Sequence, residues 1–223
     1  MIKKLILLIL GFFDFFYLRK IIEFLSKKNL IKFDIFFDVG AHKGESINLF
    51  LKNLKINKIV SFEASPINFK FLEKNKEHYL KKFPNTKILI ENIALGFENK
   101  EIIFKQFGES SSSTLKDINE ESTYYKRKYN LLNFFDKKKV YVTFKVKIKK
   151  LNNYIEVNKI DKIDFLKIDT EGYEYEILRG LEKKIRIVNI IMFEHHYDNM
   201  IKKNYTFTDI NNFLRINNFT QIY

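Results

Sequence analysis

Short apolar runs alternate with longer amphipathic stretches from residue 33 onward, and this alternation restricts the fold more than any other feature of the sequence. Residues 35–39, 58–62 and 88–95 have the length of strands, and residues 35–39 form a short apolar run that is typical of a buried parallel strand. The first of the stretches between them carries apolar residues at helical spacing. Because a strand–helix–strand repeat produces parallel pairing, the sequence predicts a mostly parallel sheet covered by helices.

The same pattern returns near the carboxyl terminus. Residues 163–168 and 185–193 predict a fourth and a fifth strand, separated by a helix that stops at Gly180. Thr208 and Asp209 open a final helix. We therefore expect one α/β domain over residues 31–223, with a Rossmann-like arrangement of strands and helices.

The segment between the third and fourth predicted strands departs from this pattern. Residues 101–107 predict a strand, and residues 140–149 alternate strictly between apolar and mostly basic side chains, as a half-buried strand does. We interpret residues 101–150 as a β-hairpin-like insertion. Its connecting residues, 108–139, are predicted to form a mobile loop and a candidate lid.

The first 30 residues are predicted to form an apolar helix that precedes the domain. Residues 5–13 are nearly all apolar, but Asp14 interrupts the run before it reaches the ~20 residues that a bilayer span requires. Two interpretations stay open: the helix packs on the domain, or residues 1–25 make peripheral contact with a membrane interface. A cleaved or spanning segment is a third interpretation, although no small-x-small cleavage site follows.

The composition excludes several kinds of site. The 223 residues include no cysteine, which rules out disulfide bonds, thiolate zinc sites and cysteine nucleophiles and fits a reducing compartment. We therefore expect a cytoplasmic protein, located at the inner face of the membrane if residues 1–25 bind it. The net charge of +13 accompanies a lysine-rich bias along the whole chain, so we attribute it to that bias and not to a dedicated polyanion site.

Polar residues are concentrated at the carboxyl ends of the predicted strands, which is where open α/β sheets bind their ligands. Each of the five strands is followed by at least one acidic, amide or histidine side chain. In chain order these residues are Asp38, Glu63, Asn92, Asp169, Glu171, Glu194 and His195. Because the carboxyl ends of parallel strands share one edge of a sheet, the sequence predicts a polar site at that edge.

The turn after the first strand favours a cationic nucleoside. Gly40 permits a tight turn and close backbone approach, and Gly44 opens the next helix. Glu63 is placed to accept hydrogen bonds from both hydroxyls of a ribose. Asp38 would repel the pyrophosphate of a dinucleotide, whereas S-adenosylmethionine (SAM) carries a sulfonium and an ammonium. Taken alone, Asp38 could also be a turn cap and Glu63 an exposed strand-end carboxylate.

Four segments resemble the FkbM-type methyltransferases. They are residues 37–46 (FDVGAHKGES), Phe62–Glu63 with Pro66, residues 92–96 (NIALG) and residues 167–174 (KIDTEGYE), followed by Leu178 and Gly180. The resemblance runs in order from about residue 33 to residue 194, and the fourth segment is the most specific. It implies a Rossmann-like class I methyltransferase sheet with a β-hairpin insertion and an N-terminal helix. It also implies SAM-dependent methylation of a hydroxyl, often on a sugar or glycan-type acceptor.

By position, the resemblance implies SAM contacts in the first turn and at the ends of the second, third and fourth strands. These contacts are Asp38, Gly40, Ala41, Gly44, Glu63, Ala64, Asn92 and Asp169. Three positions depart from the family pattern, where Asn, Pro and Asp are usual: His42, Ala64 and Asn152. The sequence also ends before the closing strand pair expected of the fold, so we expect a partner or the N-terminal helix to cover one sheet edge.

A sugar hydroxyl is a poor nucleophile at neutral pH, so we expect a general base. We favour Asp169, because the end of the fourth strand faces the transferred methyl group in this fold. The other candidate catalytic residues are Glu171, Glu194, His195 and His196. Structural roles stay open for them, namely backbone-bonded loop histidines and a helix-capping carboxylate. The cluster could also hold Mg²⁺, but its spacing is not diagnostic and no metal ligand is assigned.

Two other functions are compatible with the sequence. The charge and a basic face formed by Lys145, Lys147, Lys149 and Lys150 would suit an RNA methyltransferase, but no base-flipping motif follows the fourth strand. The N-terminal helix would suit a non-catalytic, membrane-associated protein with a degenerate methyltransferase fold. We expect a small-molecule or glycan acceptor and no nucleic-acid partner.

Overall fold

The computed structural model describes residues 16–108, 113–133, 141–195, 197 and 199–223. In chain order the strands are β1 (Lys32–Val39), β2 (Lys55–Phe62), β3 (Lys87–Glu91), β4 (Ala94–Gly96), β5 (Lys100–Phe107), β6 (Asp117–Ile118), β7 (Tyr141–Lys150), β8 (Ile163–Ile168), β9 (Val188–Phe193) and β10 (Ile201–Lys202). The helices are α1 (described over residues 16–27), α2 (Glu45–Asn53), α3 (Pro66–Lys82), α4 (Thr123–Asn133), α5 (Leu151–Val157), α6 (Glu174–Gly180) and α7 (Phe207–Ile216).

The central sheet has five strands in the order β3-β2-β1-β8-β9, and all neighbouring pairs are parallel. The chain builds outward from β1 to β3 and then returns to the other side of β1 with β8. The strand order therefore reverses between β1 and β8, which is where ligands bind in open α/β sheets. This arrangement confirms the predicted Rossmann-like, mostly parallel fold.

A separate hydrophobic core lies on each face of the sheet. Because successive side chains of a strand point to opposite faces, Phe36 of β1 joins one core and Phe37 joins the other. Helices α1, α2 and α3 pack on the Phe36 side, and α5, α6 and α7 pack on the Phe37 side. The sheet is thus buried on both faces, which explains why its strands read as continuous apolar runs.

Two helix starts follow local sequence signals. Ser65 caps α3 by accepting hydrogen bonds from the backbone N–H groups of Ile67 and Asn68, and Pro66 occupies the first turn, as predicted. Helix α7 begins one residue before the predicted start at Thr208. Thr206 is its N-cap, and Thr206 and Asp209 form a reciprocal capping box.

Two predicted strands have different bounds in the structure. The predicted strand over residues 88–95 is split: β3 ends at Glu91 and pairs with β2, whereas β4 begins at Ala94 and pairs with β7. The predicted fifth strand starts three residues late, because Glu182–Ile187 form a 3-10 helix before β9. Glu91 and Asn92 interrupt the first of these runs at the break, whereas Ile185 and Ile187 of the 3-10 helix are as apolar as the strand that follows.

The insertion is a hairpin with additional elements. Strand β5 pairs antiparallel with β7 along the whole of β5, as predicted for a hairpin, and β4 adds to the far side of β7. The prediction of a loop over residues 108–139 was wrong in part, because this segment contains β6 and the helix α4. Residues 109–112 and 134–140 of the candidate lid lie outside the described residues.

Helix α1 packs on the domain. Ile21, Ile22 and Leu25 are buried in the same core as α2 and α3. This is the arrangement of the first interpretation, for the described part of the helix. Residues 1–15, which carry most of the apolar run, lie outside the described residues. None of the helices in the described part of the chain is long and apolar enough to cross a membrane.

Candidate active site at the carboxyl edge of the sheet

A buried lysine joins two of the predicted site residues at the point where the strand order reverses. Lys167, near the end of β8, places its Nζ 3.1 Å from Oδ1 of Asp38 on β1 and 3.3 Å from Oδ2 of Asp169. The lysine side chain is 2% exposed, Asp38 is 0% exposed and Asp169 is 36% exposed. The ion pairs therefore hold a fully buried carboxylate and a solvent-facing one on either side of the same ammonium group.

The charge of buried Lys167 is stabilised by the two carboxylates beside it. Burial alone would lower the pKa of Lys167, but the neighbouring Asp38 and Asp169 outweigh that effect and raise it above its ordinary value. Asp38 also accepts a 2.8 Å hydrogen bond from the hydroxyl of Ser46 on α2. Asp38 thus has protein partners for both of its oxygens, and its charge is offset by Lys167.

The first turn is held against two neighbouring strands. The backbone N–H groups of Gly40 and Ala41 both donate to the carbonyl oxygen of Phe62 at 3.0 Å. Gly40 has φ +82°, and a Cβ at this position would lie 1.8 Å from the carbonyl oxygen of Asp169. Glycine at residue 40 therefore lets the loops after β1 and β8 touch. It would also permit the close approach of a ligand that the sequence predicted.

Gly44 begins α2 in a left-handed conformation, with φ +94°. A Cβ there would lie 2.7 Å from the hydroxyl oxygen of Tyr79, which itself donates to the carbonyl oxygen of Gly44. The requirement for glycine at this residue is therefore both conformational and steric. This contact ties the start of α2 to α3.

Glu63 lies at the end of β2 and is 5% exposed. Its two carboxylate oxygens accept backbone N–H groups, one from His42 and one from Ser65, each at 2.8 Å. Burial raises the pKa of Glu63 to about 7, although these hydrogen bonds and the nearby His42 act to lower it. The carboxylate therefore joins the first turn to the start of α3 and exchanges protons near neutral pH.

The two remaining predicted cofactor residues lie beside Glu63. Asn92 donates from its side-chain amide to the backbone carbonyl of Glu63 at 2.9 Å, and its own side chain is exposed. Ala64 is partly buried and packs against the core on the Phe37 side. The structure thus brings Asn92, Ala64 and Glu63 together at the ends of β2 and β3.

The loop that carries Asp169 and Glu171 is organised by Glu174, a buried carboxylate at the start of α6. Its Oε1 accepts from the N–H and the hydroxyl of Thr170, both at 3.1 Å, and from the N–H of Gly172 at 3.0 Å. Glu171 and Gly172 have positive φ values of 52° and 94°. A positive φ is strained at a non-glycine residue such as Glu171, so the loop needs other interactions to maintain it. The hydrogen bonds to Glu174 supply that support.

Two other segments clamp the same loop. The hydroxyl of Thr114, within the insertion, donates to the carbonyl oxygen of Glu171 at 2.6 Å. The hydroxyl of Tyr205 donates to Oε2 of Glu174 at 2.5 Å, and burial beside that carboxylate raises the pKa of the phenol. The insertion and the segment before α7 are therefore both attached to the loop that presents Asp169.

Glu194 and His195 follow β9. The backbone N–H of Glu194 donates to the carbonyl oxygen of Ile168 at 3.1 Å, which places Glu194 at the end of β8, next to the Asp169 loop. The His195 ring lies among aromatic rings, with centroid distances of 4.9 Å to Tyr197 and 5.7 Å to Phe207. His196 lies outside the described residues.

The structure places the predicted residues at one sheet edge but in two groups. Asp38, Asp169, Glu171 and Glu194 lie around the ends of β1, β8 and β9, whereas Glu63, Ala64 and Asn92 lie at the ends of β2 and β3. The turn over residues 40–46 connects the groups through its bonds to Glu63 and Asp38. Among the described residues, no three His, Asp or Glu side chains are arranged to hold a metal ion.

Sequence reasoning gave no role to Lys167, Glu174 or Thr114. A signal for the first was present, since Lys167 is a charged residue in a strand whose residues are all buried. A charged residue inside a buried strand indicates a partner of opposite charge. Glu174 lay within the family motif, and Thr114 lay in a segment predicted to be a loop.

Comparison with known proteins identifies the family of this chain. A family model described as the methyltransferase FkbM domain matches residues 38–220. A crystal structure of the methyltransferase FkbM from Methylobacillus flagellatus KT aligns with a TM-score of 0.44 and 17% identity, over 70% of this chain and 30% of that one. The chain thus spans about a third of that protein's length. No curated protein matched the sequence. Because the family match covers most of the chain, the protein belongs to the FkbM methyltransferase family.

Proposed function

We propose that this protein transfers the methyl group of SAM to a hydroxyl group of a sugar or glycan-type acceptor. Membership of a methyltransferase family implies SAM as the methyl donor in general. The observation that carries the finer proposal is the pair of carboxylates at the sheet edge, buried Glu63 and partly exposed Asp169. Glu63 has the environment of a nucleoside-binding group, and Asp169 has the environment of a proton acceptor.

The residues present fit SAM by their chemistry. Each oxygen of Glu63 accepts one backbone N–H, and each can accept a further hydrogen bond, such as one from a ribose hydroxyl. Two carboxylates, those of Asp38 and Asp169, contact the buried ammonium group of Lys167, and Glu171 and Glu194 lie at the same strand ends. The region around the ends of β1 and β8 therefore keeps a negative balance, which favours a sulfonium and an ammonium over a phosphate.

Asp38 has an indirect role in this proposal. Its side chain is fully buried and is engaged by Ser46 and Lys167, so it acts on the cofactor through its field and through the shape of the first turn. The direct contacts come from the backbone of the turn and from Glu63. This differs from the sequence-based expectation that Asp38 itself touches the ligand.

Asp169 is the general base in this proposal. SAM, when bound, would supply the methyl carbon on its sulfonium; that carbon would bond to the acceptor oxygen as its bond to sulfur breaks, with S-adenosylhomocysteine as the leaving group. Asp169 takes the proton of the acceptor hydroxyl, and the adjacent Lys167 and the rigid loop hold its carboxylate in place. Glu194 borders the same space. Glu171 has its carbonyl oxygen fixed by Thr114, and we assign it a role in shaping the loop.

The cofactor assignment is tested by titrating SAM into the purified chain by calorimetry. We expect Glu63→Ala to weaken SAM binding by about tenfold or more, since a buried hydrogen-bonding carboxylate is lost. Glu156→Ala, which removes an exposed carboxylate on α5, is the matched control and should bind as the unmodified chain does. Unchanged affinity in both Asp38→Ala and Glu63→Ala would remove the cofactor assignment.

The base assignment is tested by Asp169→Asn. This change keeps the size of the side chain but removes the proton acceptor, so turnover should fall about 100-fold or more while SAM affinity changes much less. Equal losses in turnover and in SAM affinity would argue against Asp169 as the base. The acceptor is found by incubating the protein with labelled SAM and cell-envelope glycan extracts and identifying the labelled product.

The location proposal concerns residues 1–25. The chain has no cysteine, and Lys3 and Lys4 precede an apolar run, so we propose a cytoplasmic enzyme that contacts the inner face of the membrane. Flotation with vesicles that contain anionic lipid tests this, with a chain lacking residues 1–15 as the comparison. Equal flotation of the two chains would contradict it.

A further inference from the structure

A buried polar network lies between the candidate cofactor site and the insertion. Its side chains are those of Ser65 and Asn68, at the start of α3, and of Gln106, near the end of β5. Each of the three residues is at most 5% exposed. Because polar side chains are rarely buried without hydrogen-bond partners, their contacts with one another show what holds this region together.

The amide of Gln106 bonds to both of the other side chains. Its Oε1 accepts a hydrogen bond from the hydroxyl of Ser65, and its Nε2 donates to Oδ1 of Asn68 at 3.3 Å. The hydroxyl oxygen of Ser65 also accepts the backbone N–H of Asn68 at 3.0 Å. Gln106 therefore closes a ring of hydrogen bonds with the first turn of α3.

This ring is attached to the carboxylate of Glu63. The backbone N–H of Ser65 donates to Oε1 of Glu63 at 2.8 Å. Burial raises the pKa of Glu63, and a hydrogen bond from the side chain of Asn68 acts in the opposite direction. Because Nε2 of Gln106 occupies Oδ1 of Asn68, the amide nitrogen of Asn68 is left to face the carboxylate. Gln106 thus determines which end of the Asn68 amide Glu63 meets.

The same end of β5 is also joined to the loop of the proposed base. Lys105, which precedes Gln106, exchanges two backbone hydrogen bonds with Thr114, at 2.9 and 3.0 Å. The hydroxyl of Thr114 donates to the carbonyl oxygen of Glu171 at 2.6 Å. The insertion therefore contacts both groups of site residues, from two segments that pair with each other.

We propose that Gln106 is a positioning residue for Glu63, so that the insertion helps to form the cofactor side of the site. Gln106 acts through Ser65 and Asn68, and its role is to hold the carboxylate in the geometry that a ribose requires. Side chains fixed in advance by such hydrogen bonds lose less freedom when a ligand binds. The inference rests on the proposed binding of SAM by Glu63.

The test is a double-mutant cycle on SAM affinity, measured by calorimetry with the full chain. Gln106→Met keeps the length of the side chain but removes its polar atoms, and it should weaken SAM binding by about fivefold at pH 7. In a chain that already carries Glu63→Ala, the same change should weaken binding by less than about twofold. Losses that multiply in the double variant would overturn the inference, because a defect that does not act through Glu63 persists without it.

The pH profile separates positioning from a general structural role. Without Gln106 the Asn68 amide can turn, so the pKa of Glu63 should rise and full SAM affinity should need a higher pH. The loss in Gln106→Met should therefore be smaller at pH 9 than at pH 7, and equal losses at both would contradict the role. Every variant keeps the titratable side chains that adjoin Glu63 or its partners, which are His42, Glu45 and Glu91.

Glu101→Met is the matched control, because it introduces the same side chain at an exposed position of β5. It should bind SAM as the unmodified chain does at both pH values. If Gln106→Met lowers the thermal unfolding temperature, Gln106→Asn enters the same cycle with Glu63→Ala. That variant keeps the amide but shortens the side chain by one methylene, and its loss should also vanish when Glu63 is absent.

Failure of the inference is distinguishable from failure of the proposed function. SAM binding that is weakened by Glu63→Ala but not by Gln106→Met would overturn the positioning role and leave the cofactor assignment standing. SAM binding that neither Glu63→Ala nor Asp38→Ala weakens would overturn the cofactor assignment, and the inference with it.

Discussion

Glu63 has a carboxylate that the fold buries almost completely and that accepts hydrogen bonds from two backbone N–H groups and from the side chain of Asn68. Burial dominates, so the pKa of Glu63 rises to about 7. The folded protein therefore holds this proton up to about pH 7, whereas the unfolded chain loses it near pH 4.5. Because the folded state binds more protons in that window, the contribution of Glu63 to stability falls as the pH rises through it.

The same carboxylate makes SAM binding dependent on pH. Ribose hydroxyls that donate to Glu63 favour its ionised form, so binding should release a proton below about pH 7. We expect SAM affinity to increase by about tenfold from pH 6 to pH 8. Calorimetry in two buffers of different ionisation enthalpy measures both the affinity and the proton release.

Glu63→Gln is the control for this prediction, because it cannot ionise. Its affinity should be lower than that of the unmodified chain at pH 8 and nearly constant with pH. A pH dependence that persists in Glu63→Gln would show that Glu63 is not the group responsible for it.

Lys167 is a site residue that stands out in its strand sequence, although the sequence does not indicate its role. The strand sequence shows Lys167 among buried residues, but it does not reveal that Asp38 and Asp169, from different strands, converge on it. That convergence depends on β1 and β8 being neighbours, although more than 100 residues separate them. Gly40 and Glu63 were placed from local spacing alone, because the turn and the strand end are local features.

Replacing Lys167 with Met should strongly destabilise the fold. Two carboxylates would lose their shared counter-charge, one of them at 0% exposure, and the cost should be about 3–5 kcal/mol in the free energy of unfolding. Urea unfolding measures this. Adding Asp38→Asn should recover part of the loss, since it removes the buried unpaired charge.

Lys162→Met is the comparison for that change. Lys162 is 51% exposed and pairs with Asp164, so its loss should cost less than about 1 kcal/mol. Similar losses for the two lysines would show that burial does not determine the strength of the Lys167 cluster.

At the scale of elements, the loop between β8 and α6 is the part of the site that most depends on tertiary contacts. Glu174, Thr114 and Tyr205 each come from a different segment, and together they fix a loop with two positive φ values. Asp169 is presented from this loop. Small displacements of a catalytic group can reduce turnover without affecting binding. The hydrogen bonds that fix this loop should therefore matter for turnover more than for SAM binding.

Glu174→Ala should therefore separate turnover from binding. We expect turnover to fall by about tenfold to 100-fold, with less than about threefold change in SAM affinity. Glu174→Gln keeps an acceptor for part of the loop and should recover some of the activity. Glu156→Ala, on the exposed side of α5, should have no effect. Equal losses of SAM affinity and turnover in Glu174→Ala would indicate a general structural role instead.

The elements predicted with the fewest errors have signals within a few residues of one another. Ser65 and Pro66 mark the start of α3, and the strict alternation of β7 identifies a half-buried strand. The division between β3 and β4 was missed because it depends on β7, which is distant in sequence. Helix α4 was missed because its charged, tyrosine-rich sequence lacks a continuous apolar face.

At the scale of the whole molecule, sequence periodicity predicted the parallel sheet, but not how its flanking layers are composed. The two cores differ in their helices, and α1 joins one of them through Ile21, Ile22 and Leu25. An amphipathic helix of this kind can pack on a protein or on a membrane, so only the tertiary structure distinguishes the two for residues 16–27.

The four lysines of the basic face on β7 differ in their surroundings. Lys145, Lys147 and Lys149 are exposed on the outer face of β7, whereas Lys150 turns aside to pair with Glu182. Glu101 lies opposite Lys147 in the register of β5 and β7 and offsets part of this charge. The face is therefore a solvated strand surface with one row of lysines.

We expect RNA binding by this protein to be weak and to lack a steep salt dependence. Each phosphate contact to a single strand contributes about −0.7 to the slope of log affinity against log salt, so a row of three lysines can contribute at most about −2. Filter binding of a 30-nucleotide RNA over a range of salt concentrations measures this slope. Charge reversal at Lys145, Lys147 and Lys149 should leave SAM affinity unchanged, because these residues lie on the insertion, away from the cofactor residues. A much steeper slope that disappears in the charge-reversed variant would make RNA the acceptor to test first, since the basic face would then act as a binding surface beside a methyltransferase site.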